Sequence, residues 1–291
     1  MLAALVVAFP PSKYRALVVA FHNTFRMSQK KIRILVAASD RKQSGGTEAY
    51  SFREAQEERA WNRFPSITPA RDEAVREFLS AINGQGHGEE VLRLAGARLA
   101  QATEKNLAFC HGRLLPVLER ERGPLFSALG ALSPDLVRRL SDEMVVVCPL
   151  LGILAPTDMV PEYRCPVGAQ IPGWGSLHTH WKKHLGPVLG RLCRNRRVFS
   201  FLPNRLRALW TPGSSVDEFI SIQFATRRTD GGLRVENAGA GKLAGAMIRA
   251  MLDEDLLDPS QLMSWKAPSG HVYSAVHSER SEGRWGMVFV R

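Results

Sequence analysis

Short, continuous apolar runs separated by stretches of helical periodicity are the feature that most limits how this chain can fold. Residues 32–38 and 143–148 are two such runs, each followed by a turn or loop. Runs of this length, rich in β-branched residues, are typical of strands that are buried on both faces of a sheet. Between these two runs, Thr68 as the N-cap and Pro69 in the first turn begin a helix. The alternation predicts an α/β or α+β fold, in which helices flank a central mixed sheet.

The same patterns predict the remaining elements. Helices are expected at 91–102, 114–132, 177–192 and 240–253, strands at 198–202 and 218–225, and a closing hairpin at 271–276 and 285–290 around a turn at 278–283. No long linker or low-complexity run interrupts residues 27–291, which we therefore expect to form a single domain.

The first 26 residues differ from the rest, because the hexapeptide Ala-Leu-Val-Val-Ala-Phe occurs at both 4–9 and 16–21. Neither run reaches the ~18 apolar residues that a membrane span needs, so no membrane association is expected. No clear signal-peptide cleavage site follows either run. We interpret residues 1–26 as an extension outside the fold, with Met27 as the start; the alternative is an organelle transit peptide, which is also basic and free of acids.

Cysteine usage bears on the compartment and on metal binding. The four cysteines, Cys110, Cys148, Cys165 and Cys193, form no CxxC pair, which argues against a zinc ribbon or a thioredoxin-type site. Scattered cysteines in a chain of this size are typical of reduced, mostly buried thiols. We therefore expect a cytoplasmic protein without disulfides.

The distribution of charge indicates a class of partner. The chain carries 39 Lys+Arg and 28 Asp+Glu, a net charge of +11, yet residues 163–216 hold nine basic residues and no acid. A concentrated basic stretch attracts polyanions such as nucleic acid, nucleotide phosphates or anionic membrane. The alternative is a solvated face that only keeps the protein soluble.

Two loops after the buried strands carry candidate site residues. The first, residues 37–46, brings Ser39, Asp40 and Lys42 into a glycine-containing loop, although it is neither a P-loop nor GxGxxG. Open α/β sheets bind ligands at the carboxyl ends of strands, so this loop is either a ligand site or an ordinary surface turn. The second, residues 151–164, contains prolines that can fix the geometry of its polar residues. These are Asp158, Tyr163 and Arg164.

Two helical segments offer further chemistry. His180 and His184 have the i,i+4 spacing that a metal site can use, but Lys182 and Lys183 would repel a cation and no zincin-type Glu follows His180. We therefore predict no metal there, and a basic helix face anchored by a packed Trp181. Small residues surround Lys242 in the segment 237–245. Such a segment suits either phosphate binding at the start of a helix or close packing of that helix against another.

Taken in order, these segments resemble the YaaA-like peroxide-stress family of bacterial proteins. The shared motifs are Ser39-x-x-Lys42 followed by Gly45-Gly46, Phe-Pro-Ser-Ile-Thr-Pro-Ala-Arg at 64–71, the central run 152–164, Trp181, and the strand-like segments 270–273 and 287–289. The resemblance covers about residues 32–291. Three positions depart from the family: Ala155 stands where Arg is usual, Leu206 where Tyr is expected, and Lys242 is the main basic residue left near the last helix.

The resemblance implies a DNA-binding protein of the oxidative-stress response that limits iron-driven damage. It further implies a basic cleft and a helix-hairpin-helix-like element near the carboxyl terminus. Under this leading, non-enzymatic hypothesis the partner is DNA or another polyanion and no cofactor is needed. The nucleic-acid contacts are then Lys182, Lys183, Arg191, Arg194, Arg196, Arg197, Arg205, Arg207 and Lys242.

The competing hypothesis is an enzyme that acts on a nucleotide-like or other anionic small molecule. Its pocket comprises Ser39, Asp40, Lys42, Asp158, Tyr163, Arg164 and Lys242. Lys42 and Lys242 then hold the anionic group, and Asp40 or Asp158 is the general acid/base. Pooling of these groups in one closed pocket favours the enzyme, whereas a long open basic groove favours DNA.

Overall fold

The computed structural model describes residues 31–47, 51–58, 62–83, 86–236 and 239–291. Its helices are α1 (Phe52–Glu57), α2 (Thr68–Asn83), α3 (Gly88–Leu92), α4 (Gly96–Leu107), α5 (Val117–Arg120), α6 (Pro124–Leu129), α7 (Pro134–Glu143), α8 (Leu177–Leu192), α9 (Asn204–Arg207), α10 (Ala240–Asp253) and α11 (Pro259–Leu262). Short 3-10 turns form at Pro65–Ile67 and Ala275–His277. The interpretation of residues 1–26 as an extension lies outside the described residues.

The strands are β1 (Ile32–Ala37), β2 (Leu115–Pro116), β3 (Met144–Cys148), β4 (Gly152–Leu154), β5 (Met159–Val160), β6 (Gln170–Ile171), β7 (Gly175–Ser176), β8 (Arg197–Ser200), β9 (Glu218–Arg227), β10 (Leu233–Val235), β11 (Val272–Tyr273), β12 (Glu279–Ser281) and β13 (Arg284–Val290). Two small antiparallel pairs, β2–β5 and β6–β7, lie apart from the main sheet.

The main sheet has the order β11-β13-β9-β8-β1-β3-β4, with β10 paired to β9 and β12 to β13. Its centre is parallel: β13, β9, β8, β1 and β3 all run the same way, with Leu35 aligned to Ser200 on one side and Val145 on the other. Antiparallel strands lie at both ends, as β4 beside β3 and β11 beside β13. The predicted fold class, a mixed sheet flanked by helices, is confirmed.

The apolar runs form the core, as their composition requires. Every residue of β3 is buried, and β1 is buried except at its last residue. Helix α8 covers the sheet near β4 with Trp181, whose Nε1 donates to the Pro149 carbonyl at 2.9 Å. Gly152 begins β4 with φ of 77°, and a Cβ there would lie 2.6 Å from the Trp181 ring. The predicted packing role of Trp181 is therefore confirmed.

Two predicted helices are wrong in their extent. Residues 91–102 are not one helix, because Arg93 takes a left-handed conformation with φ of 53° and separates α3 from α4. Residues 114–132 are split among β2, α5 and α6, since the prolines at 116 and 124 supply no N–H to a continuous helix. The apolar residues of that segment pack into the core from three short elements and not from one face of a helix.

The carboxyl-terminal hairpin is also rearranged. The expected strand at 271–276 shortens to β11, which pairs with the end of β13, while residues 275–277 form a 3-10 turn. The tight hairpin instead joins β12 to the start of β13. The helix-hairpin-helix-like element stays a prediction. Within the described ranges, each helix is too short or too polar to cross a bilayer.

Candidate functional site

A cleft of about 510 Å³ opens at the carboxyl ends of β1 and β8, alongside the middle of β9. The first turns of α6 and α10 form its opposite wall. Open α/β sheets place their ligands at this edge, and a volume of this size suits a small organic molecule. The cleft is therefore the candidate functional site within the described residues.

The wall of the cleft is mainly apolar, with a few polar side chains. Those polar residues are Ser39, Asn204, Arg207, Gln223 and Glu236. Arg207 is half-buried and donates to the side-chain oxygen of Asn204, and burial lowers the pKa of its guanidinium. A ligand with an apolar body and one anionic group would match this lining.

A buried polar network adjoins the cleft through Ser39. Lys42 Nζ lies 3.2 Å from Glu121 Oε2, and the two side chains are only 5% and 0% exposed. The same carboxylate oxygen accepts from Ser39 N at 2.7 Å and Ser39 Oγ at 2.5 Å. Lys42 also donates to the Ser39 carbonyl oxygen. Glu121, a residue that the sequence analysis missed, thus holds the Ser39–Lys42 loop in place.

The network continues to the second loop. Lys42 Nζ lies 4.7 Å from the centre of the Tyr163 ring, and the Tyr163 hydroxyl lies 2.9 Å from Cys148 Sγ. Burial raises the pKa of both Tyr163 and Cys148, so both keep their protons at neutral pH. Three of the residues predicted for an enzyme pocket, Ser39, Lys42 and Tyr163, are therefore close together.

The other predicted pocket residues lie elsewhere. Asp158 accepts from Ala155 N at 2.8 Å and Arg63 N at 2.9 Å, so its carboxylate braces its own loop. Burial raises the pKa of Asp158, although these hydrogen bonds oppose that rise. Asp40 and Lys242 are exposed. Lys242 is not part of the cleft lining, although its neighbour Gly241 is.

Arg164 and Arg71 make hydrogen bonds that connect parts of the fold. The backbone of Arg164 exchanges two hydrogen bonds with the Asn106 side chain, of 2.8 and 2.9 Å. Arg71, which ends the motif at 64–71, is fully buried and donates to the carbonyls of Leu151 at 3.0 Å and Ile153 at 2.9 Å. That motif therefore joins the start of α2 to the loop and strand around β4.

The predicted basic residues divide into an exposed and an internal group. Lys182, Lys183, Arg191, Arg194 and Arg205 are exposed, and we call them the basic patch. Arg197 is internal, since it pairs with Glu218 at 2.8 Å and Asp258 at 3.1 Å. Arg196 is half-buried and donates to the Ile32 carbonyl at 3.1 Å. Arg207 faces the cleft.

The glycine-rich start of α10 serves helix packing. A Cβ at Gly245 would lie 2.2 Å from the Leu125 carbonyl oxygen, so a side chain there would separate α10 from α6. Of the two interpretations of residues 237–245, close helix packing thus accounts for Gly245. Residues 237–238 lie outside the described residues.

The fold and the cleft together define an α/β protein with a ligand-sized opening at the carboxyl ends of its parallel strands. The chain belongs to the family of the peroxide stress protein YaaA, which matches residues 26–275. The family resemblance found in the sequence is therefore confirmed.

Individual relatives match over shorter segments. The chain is 30% identical over 155 residues to a UPF0246 protein of Streptomyces coelicolor, covering 52% of this chain and 59% of that protein. It is 29% identical over 111 residues to a UPF0246 protein of Corynebacterium glutamicum, covering 38% and 42%. A UPF0246 protein of Cereibacter sphaeroides is 26% identical over 194 residues, covering 62% and 70%. The chain thus spans roughly half the length of the first two relatives.

Proposed function

We propose that this protein acts in the peroxide stress response by binding DNA through the basic patch. The family name supports the physiological setting. The patch lies in the acid-free segment 163–216, so its local charge is uniformly positive along the chain. Positive charge that the protein does not neutralise attracts a phosphate backbone, and binding releases the counterions that surround that backbone.

One observation carries this proposal. Among the described residues, the five side chains of the basic patch have no acidic side chain within ion-pair distance, whereas the internal Arg197 has two. The charge of the basic patch is therefore not neutralised by an acid among the described residues, unlike that of Arg197. Lys183 and Arg191 lie on the exposed side of α8, and Arg194 follows its end. Contacts of this kind position a protein on DNA without specifying sequence.

The salt dependence of binding tests the proposal. If roughly three to five phosphates are contacted, the log–log slope of affinity against salt is about −3 to −4.5 on duplex DNA. Changing Lys183, Arg191 and Arg194 to Glu should reduce that slope by about 2.7 and weaken binding equally on unrelated duplexes. Fluorescence anisotropy over a range of salt concentrations measures both effects.

The matched control makes the same charge change outside the patch, at three exposed arginines on other helices: Arg53, Arg76 and Arg98. This control should bind DNA more tightly than the patch variant. Equal loss in both variants would mean that net charge alone, and not the patch, governs binding. Absence of salt-dependent binding by the parent protein would refute the proposal outright.

The cleft favours a second candidate function, binding or conversion of a nucleotide-like or other anionic small molecule. The supporting observation is the cleft of about 510 Å³ with Arg207 in its wall. Lys42 is already paired with Glu121, so Arg207 is the better candidate for the anion. Mass spectrometry of the protein purified from cells would identify a ligand that co-purifies with it.

Variants separate the two candidates. Arg207→Ala should abolish stabilisation of the protein by that ligand in a thermal-shift assay, while exposed Lys266→Ala should not. The basic-patch variant should keep full ligand binding, because none of its three positions lines the cleft. Loss of ligand binding in the patch variant would place the ligand outside the cleft.

A further inference from the structure

A cluster of three side chains lies between α2 and α8, away from the cleft. Glu73 comes from α2, and His180 and His184 come from successive turns of α8. One nitrogen or oxygen ligand atom of each residue lies within 4.8 Å of the other two. The fold thus brings a carboxylate from a distant part of the sequence to two imidazoles one turn apart.

The His180 ring is held in a fixed orientation. Its Nε2 lies 2.9 Å from the Ala70 carbonyl oxygen, one turn before Glu73 on α2. When Nε2–H donates to that oxygen, Nδ1 keeps its lone pair and can bind a metal. A backbone carbonyl behind a histidine is the usual way in which a metal-binding imidazole is oriented. Trp174 and Trp181 pack around the ring at centroid distances of 4.9 and 5.0 Å.

The second imidazole is positioned beside the first. The His180 and His184 rings are 4.7 Å apart, centre to centre. His184 is exposed and Glu73 half-buried, so both can adjust their position and water can reach the site.

We propose that Glu73, His180 and His184 bind a divalent transition-metal ion of the zinc type. Two imidazoles and a carboxylate are ligands that Zn²⁺ takes in sites with three protein ligands, where a water or substrate completes the coordination. Ligand atoms around Zn²⁺ lie about 3.4 Å apart, so the ion would draw these atoms together by roughly 1 Å. The exposed His184 and the half-buried Glu73 side chains permit that movement.

The neighbouring lysines oppose the ion less than their positions in the sequence imply. Lys182 is two residues from each histidine, so it lies on another side of α8. Lys183 is exposed, so its ammonium group can extend into water away from the ion. The local sequence predicts no metal here because of the two lysines and the missing zincin-type Glu, and Glu73 lies on another helix, where no local pattern indicates it.

The test measures metal binding by the full-length, untagged chain. Cys110→Ser removes the exposed thiol and serves as the parent, because a free thiolate also binds zinc. After removal of metals with a chelator, isothermal titration with Zn²⁺ gives the affinity, and titration with Co²⁺ gives an absorption spectrum that reports the ligands. We expect a 1:1 site in the parent.

Two surface substitutions test the assignment without disturbing the core. Glu73→Gln and His184→Asn should each weaken Zn²⁺ binding at least tenfold and change the Co²⁺ spectrum. Asp72→Asn on α2 and His178→Asn on α8 are the matched controls and should stay within twofold of the parent. Circular dichroism and melting temperature confirm that each variant is folded.

Two outcomes would overturn the proposal. One is that the parent protein binds neither Zn²⁺ nor Co²⁺. The other is that it binds them with the same affinity and spectrum after Glu73→Gln and His184→Asn, which would place the ion at other residues. Neither outcome depends on DNA binding, so the metal site and the proposed function can fail separately.

Discussion

Replacing Lys42 by Met should destabilise the protein by about 3 kcal/mol, because it leaves a charge buried without its partner. Removing one member of a buried ion pair costs roughly 3–5 kcal/mol. Glu121 is fully buried, but it keeps the hydrogen bonds from Ser39 N and Ser39 Oγ, which places the effect near the lower end. In a chain of this size that corresponds to a fall in melting temperature of about 5 °C.

Urea unfolding at pH 7, followed by circular dichroism, measures the change in free energy. The double variant Lys42→Met with Glu121→Gln should recover most of the loss, since the amide is neutral and can still accept from Ser39. Lys266→Met, a change of the same type at an exposed position, should cost less than about 0.5 kcal/mol. A Lys42→Met loss below about 1 kcal/mol, or no recovery in the double variant, would show that Glu121 does not depend on Lys42 for its charge compensation.

Three further predictions concern packing and the thiols. Gly152→Ala should cost about 3 kcal/mol by urea unfolding, because its φ of 77° disfavours a side chain and its Cβ would meet Trp181, while Gly213→Ala, with open space around it, should be nearly neutral. Iodoacetamide at pH 8 should label Cys110 alone in the folded protein and all four thiols after denaturation, as mass spectrometry would show; labelling of a second thiol in the folded state would contradict the burial. Burial raises the pKa of Cys193 to about 12, above its unfolded value, so the stability it contributes is present below pH 9 and lost as pH rises towards 12; an unfolding free energy that stays constant from pH 9 to 11 would contradict this.

Sequence patterns predicted the strands and helices that are determined by apolar runs or by helical periodicity. The apolar runs gave β1 and β3, and the helices at 177–192 and 240–253 have the bounds that their periodicity predicts. The prediction of one helix at 114–132 is wrong because apolar spacing cannot distinguish a single helix from short elements separated by prolines. There, the missing N–H of each proline outweighs the periodicity.

The candidate site was only partly accessible to sequence reasoning. Ser39 and Lys42 stand out because they follow a buried strand, but Glu121 lies in a segment predicted as helix and carries no motif. Its role follows from a contact across 79 positions of sequence. The same limit applies to Glu73, which meets His180 only because α2 packs beside α8. A side chain whose partner is distant in sequence leaves no local pattern to detect.

The division among the basic residues explains how a net charge of +11 can coexist with a stable sheet. Two arginines lie inside the protein: Arg71 donates to backbone carbonyls, and Arg197 pairs with two carboxylates that compensate its charge. Basic residues that stay outside along α8 have no such compensation among the described residues, and their charge therefore acts on the surroundings. The acid-free segment 163–216 contains both kinds, with Arg197 inside the protein and Lys182 and Lys183 on its surface. The structural kind must be excluded when variants are chosen, because reversing Arg197 would break the contacts of β8 and imitate a loss of binding.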